Sequence, residues 1–71
     1  MILKIWDNGG KTADRYLVRI RNDYYAMDDR PGMPNGICIY LGENVSEKGQ
    51  GDRVHQSALP EGVRKKIAEL S

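Results

Sequence analysis

His55 and Cys38 are the chain's sole histidine and sole cysteine, the residue types of a base-activated thiol nucleophile. Neither sits in a signature of such a site. Cys38 lies inside ICIYL, a strand-like run where a cysteine ordinarily packs, and His55 follows a polar stretch. The same two counts exclude an internal disulfide and leave a His/Cys zinc site short of ligands. Gly10-Lys11-Thr12 has the tail of a phosphate-binding loop, but the glycine that motif requires five residues earlier is Ile5. Gly49 and Gly51 open a dinucleotide fingerprint whose third glycine position holds Val54. Both glycine clusters read as turns. Asp28 and Asp29 with Asp23 could attract a cation, yet the calcium-loop spacing is absent and Arg30 follows directly, so solvated loop carboxylates are expected. Arg64-Lys65-Lys66 reads as a solvated helix face, offset by Glu61 and Glu69.

The constellation with the strongest binding chemistry is Arg19, Arg21 and Tyr24, with Tyr40 or Trp6 joining them. Guanidinium planes and aromatic rings on one sheet face can stack unpaired bases. Tyr, Trp and Arg are also the residues that dominate protein-protein contacts. The structural alternative is the wet side of a sheet whose other side carries a helix. The net charge of +1 gives no long-range attraction for phosphate, which favours protein over nucleic acid.

These residues need elements to hold them. With 71 residues there is room for one domain, spanning 1–71, and a chain this short buries only about 60% of its unfolded surface. Charged residues make up 30% with mixed signs, a soluble rather than disordered composition. No basic leader with an apolar run follows the start, and no run approaches a membrane span, so a cytoplasmic location without membrane contact is expected. The lone cysteine fits a reducing compartment. The Asn44-Val45-Ser46 sequon then has no glycosylation route.

Residues 2–6 read as a first strand ending at the turn cluster Asp-Asn-Gly-Gly. Residues 15–21, RYLVRIR, alternate as a second strand. A two-residue turn at Asn22-Asp23 predicts a hairpin with residues 24–27, pairing Ile20 with Tyr25 and Val18 with Met27. Tyr16, Val18, Ile20, Tyr25 and Met27 then share an apolar face, and Leu17, Arg19, Arg21, Tyr24 and Ala26 share the other. Residues 28–36 hold two prolines and two glycines and must be loop. Residues 37–41 form a fourth strand with Ile37, Ile39 and Leu41 toward the core. Residues 42–52 are a polar, mobile loop, and 53–55 extend as a short edge strand. Pro60 suits a first helical position, and Val63, Ile67 and Leu70 make one apolar stripe. The expected fold is α+β: a small antiparallel meander of three to five strands with one C-terminal helix packed on one face.

The segments NGGKTADRYLV, PGMPNGICIYLGE and ALPEGVRKKIAEL resemble a group of short uncharacterised proteins from bacteria and their phages. The resemblance covers most of the chain. It implies no catalytic residue, substrate or cofactor, and favours a stand-alone accessory protein.

The functional expectation is a non-catalytic module acting through a protein partner or as a homodimer, with no cofactor or metal. Arg19, Arg21, Tyr24 and Tyr40 form its candidate surface. A weak single-stranded nucleic-acid binder using that surface comes second, and an enzyme third.

Overall fold

In the computed structural model of the chain, residues 2–11, 14–30 and 37–71 are described. Thr12 of the Gly-Lys-Thr run and residues 31–36 of the Pro/Gly loop lie outside them. The β-prone runs become β1 (Leu3–Asp7), β2 (Tyr16–Ile20), β3 (Asp23–Met27), β4 (Cys38–Gly42) and β5 (Asp52–Arg53). They form one antiparallel sheet in the order β4-β3-β2-β1-β5. A 3-10 turn at Gln56–Ala58 leads into the helix α1 (Glu61–Leu70). The expected α+β meander with a C-terminal helix is therefore present. Its first four strands are neighbours in sequence, and the chain then returns to pair β5 with β1 at the far edge.

The first hairpin turns one residue earlier than expected. Ile20 opposes Asp23, Val18 opposes Tyr25 and Tyr16 opposes Met27, which puts the turn at Arg21-Asn22. Arg21, rather than Asn22 or Asp23, takes the positive φ of 56° that such a tight turn needs. The register is thus displaced by two residues, and a displacement of two leaves every side chain on its face. The gain is ladder length: all five residues of β2 pair with all five of β3. Val18 and Ile20 are buried as expected, with Ile5, Tyr16 and Met27, beneath Leu59, Val63 and Ile67.

The helix docks through Val63 and Ile67, with Leu70 at the margin of the same core. Pro60 is its N-cap rather than its first residue, and the Pro60 carbonyl accepts the Arg64 N–H at 3.0 Å. On the outer face Lys65 pairs with Glu61 at 3.4 Å. Gly62 lies close to the sheet margin: a Cβ there would stand 3.0 Å from the Ile37 Cδ1 methyl.

Asp28 is the one buried polar residue among the described residues, and its side chain has no exposed surface. It follows β3 directly, where the register would next pair it with Arg15. Its carboxylate accepts the Arg15 N–H at 3.0 Å, in the place of a ladder bond. It also accepts the Arg30 N–H at 2.9 Å and the Arg30 guanidinium through Nε and Nη2 at 2.9 and 2.5 Å. The solvated carboxylate expected here is therefore an internal anchor. The hydrogen bonds from Arg30 outweigh burial and hold the Asp28 carboxyl well below the ordinary carboxylate range. Next to it, Arg15 grips Asp7 with two bonds of 2.8 and 3.0 Å, and that bond lowers the Asp7 carboxyl as well.

Two expectations follow. Asp28→Asn should cost about 2–4 kcal/mol in urea unfolding at pH 7, because Arg30 and two backbone N–H groups lose their anionic acceptor. Asp28 has a folded value depressed below the ordinary 3.8, so its stabilisation is complete where the unfolded carboxyl is ionised. It is lost as pH falls below about 4 toward the folded value, and Asp28→Asn should flatten that acid limb. The second pair of variants should differ in sign. Gly51 has φ +106°, and a Cβ there would overlap the Asp7 carbonyl, so Gly51→Ala should destabilise by more than about 2 kcal/mol. In Gly62→Ala the new Cβ presses the movable end of Ile37 at 3.0 Å and touches Asp29 Cβ at 3.9 Å, so the helix propensity gain should stabilise by up to about 1 kcal/mol on the same assay.

Candidate functional site

The sheet's second face is not open. From β4 the chain must reach β5 at the opposite edge, and residues 43–51 cross over that face. Val45 packs on Trp6, Leu17 and Tyr24, which form a small second core. Glu47 then takes the polar groups: the Tyr24 hydroxyl donates to it at 2.5 Å, the Arg19 guanidinium donates at 3.1 Å, and Lys4 stands at 3.9 Å. The bond from Tyr24 holds the Glu47 carboxyl low, and the same bond raises the Tyr24 phenol. Arg53 on β5 lies over the Trp6 ring at 5.2 Å.

The four residues of the expected surface therefore part company. Arg19 and Tyr24 do come together, with the guanidinium 5.7 Å from the ring centroid, but Tyr24 is buried and both are engaged by Glu47. Arg21 sits in the hairpin turn, where its carbonyl accepts Arg19 Nε at 2.7 Å. Tyr40 is on the opposite face. It opposes Tyr25 across the β3–β4 ladder, its ring is 5.4 Å from that of Tyr25, and its hydroxyl donates to Asp23 at 3.0 Å.

The residues considered for catalysis and anion binding have local tasks. His55 caps the 3-10 turn, its Nδ1 accepting the Ser57 N–H at 3.1 Å. Burial pushes the Cys38 thiol up, away from the reactive thiolate. The Gly9 and Gly10 N–H groups, which an anion would need, donate at 2.7 Å to the side chains of Asp7 and Asn8. A groove of about 440 Å³ runs between Leu3, His55, Ser57, Arg64 and Ile67. His55 turns its Nδ1 into the cap, and Arg64 brings a guanidinium to the same groove. Among the described residues no three of His, Cys, Asp and Glu gather as metal ligands, and no helix is long and apolar enough to cross a membrane.

The exposed apolar material is concentrated elsewhere. Ile37, Ile39, Leu41 and Tyr40 are 36%, 36%, 42% and 59% exposed, all on or beside β4. The expectation that Ile37, Ile39 and Leu41 face the core is overturned. Met27 opposes Cys38 and Tyr25 opposes Tyr40, so the even-numbered residues take the helix side. Cys38 alone of β4 packs on the main core. The ladder register slips between Tyr24 and Tyr25, where Leu41 is the extra residue, a bulge that ends regular pairing.

Among the described residues β4 is also an edge, with no strand on its outer side. The Ile37 carbonyl accepts the Asp28 N–H at 3.1 Å, so the odd residues turn their backbone groups toward β3. By strand alternation Cys38 and Tyr40 turn theirs outward. The other edge strand, β5, spans two residues and is charged. β4 thus joins an apolar stripe to free ladder groups, the two features of a strand that accepts another strand. The sequence carried little sign of this. ICIYL is apolar at every position, so alternation gives no parity, and only pairing with β3 decides which side chains turn out.

No family model matches the chain, and neither does any curated protein or solved structure.

Because Ile39 lies on the exposed side of an edge, Ile39→Lys should leave the fold intact. Its unfolding free energy should fall within about 0.5 kcal/mol of the parent by urea titration. A loss comparable to that of a core truncation would put Ile39 in the core after all.

Proposed function

We propose that the chain is a non-catalytic protein-binding module, an accessory protein of bacterial or prophage type, that takes up a partner strand along β4. The observation that carries this reading is the coincidence of four exposed apolar side chains with outward backbone groups on one edge. Monomeric soluble domains cover such edges or charge them, and β5 does the latter with Asp52 and Arg53. Main-chain bonds would supply affinity, and the exposed apolar side chains around Ile39 would supply selectivity for apolar partners. A single-stranded nucleic-acid role ranks below it, since Tyr24 lies under Val45 and its hydroxyl is spent on Glu47.

The test is affinity capture from a bacterial host lysate with three baits: the parent chain, Ile39→Lys, and the distant helix variant Lys65→Glu. A specific partner should be retained by the parent and Lys65→Glu and lost by Ile39→Lys. A partner that Ile39→Lys still holds would move the site away from β4. Micromolar binding of a single-stranded oligonucleotide that fades with salt and is lost in Tyr24→Ala would replace this reading with the nucleic-acid one.

A further inference from the structure

Resting on that reading, we propose that the strand received by β4 is β4 of a second copy of this chain, paired antiparallel about a two-fold axis at Ile39. The backbone fixes the choice of register. Cys38 and Tyr40 carry the outward N–H and C=O groups, and Ile39 between them turns its own inward. An antiparallel pair forms ladder bonds only where outward groups meet outward groups. Centring the axis on Ile39 sets Cys38 against Tyr40 of the other copy and Tyr40 against Cys38, so all the outward groups of both residues are used. Centring it on Cys38 or on Tyr40 pairs only one of the two with the other copy's outward Cys38 or Tyr40.

The side chains agree with this register. Residues directly opposite in a ladder share a face, so Ile39 of each copy meets Ile39 of the other at the axis. The two exposed isoleucines close an apolar contact at the centre of the strand pair. The strand carries no charge from Cys38 to Gly42, and antiparallel pairing sends the two Glu43 carboxylates to opposite ends of the strand pair. A parallel pairing would bring them side by side. The Leu41 bulge limits the strand pair to a short segment. Its area is small beside the roughly 1,600 Å² of a standard interface, so the dimer is a weak one, in micromolar exchange with monomer.

Sedimentation velocity from micromolar to submillimolar concentration should show a monomer–dimer equilibrium. Ile39→Lys, which sets two ammonium groups face to face at the axis, should weaken it at least about tenfold with an unchanged circular dichroism spectrum. A cross-link gives an independent reading. In a Cys38→Ala background, Ile39→Cys should form a disulfide dimer on mild oxidation, since opposed residues of a non-hydrogen-bonded pair have Cα atoms about 4.5 Å apart, within disulfide reach. Ser46→Cys in the same background, an exposed position outside β4, should not. A parent chain that stays monomeric at submillimolar concentration overturns the proposal. So does a dimer that survives Ile39→Lys, or an Ile39→Cys chain that cross-links no faster than Ser46→Cys. A monomeric parent whose lysate partner is nonetheless lost by Ile39→Lys overturns self-pairing and leaves strand docking standing. A monomeric parent that captures nothing through β4 removes both.

Discussion

The buried carboxylate of Asp28 ties together the parts of the fold that the chain itself leaves far apart. It directly follows β3, accepts the Arg15 N–H just ahead of β2, and is gripped by Arg30, whose Nη1 also reaches the Gly10 carbonyl in the β1–β2 loop at 3.3 Å. Arg15, held through its N–H by Asp28, turns its guanidinium to Asp7 at the end of β1 and lies 5.3 Å from the Tyr16 ring centroid. Three strands are thereby locked in register at one end of the sheet by charge-assisted bonds. Burying a lone carboxylate would be costly, but this one is satisfied on both oxygens, which makes its removal more damaging than its presence is stabilising. A chain with no disulfide available uses this cluster as its cross-link.

With register fixed, the two faces of the sheet acquire different covers. The helix α1 closes one over Ile5, Val18, Ile20 and Met27. The return from β4 to β5 closes the other, because a connection between opposite edges must cross a face, and the helix already occupies the first. Val45 and Glu47 make that crossing a packed lid: one contributes apolar contact and the other pairs with Arg19 and Lys4. A 71-residue chain thus covers both sides of five strands. What it leaves uncovered is an edge, and the two edges differ. The short, charged β5 resists pairing, while β4 presents isoleucine, leucine and tyrosine beside free backbone groups.

The sequence by itself determined the strands and helix in outline and the parity of β2, β3 and α1. Alternation in RYLVRI and DYYAM put Val18, Ile20, Tyr25 and Met27 on one face and Leu17, Arg19 and Tyr24 on the other, because a strand's period of two is written in its residues. The spacing of Val63, Ile67 and Leu70 wrote the docking stripe of the helix in the same way. Period alone does not carry absolute register, and the turn at Arg21-Asn22 was decided by the longer ladder and by Asp28 reaching Arg15. Nor could alternation orient ICIYL, where every position is apolar; the pairing of Met27 with Cys38 did that. The cover on Arg19 and Tyr24 was likewise invisible, since Glu47 is 28 residues from Arg19 and 23 from Tyr24 along the chain. Those contacts exist only because strand order carries the 43–51 segment across the sheet, and strand order is a property of the whole chain that no local pattern encodes.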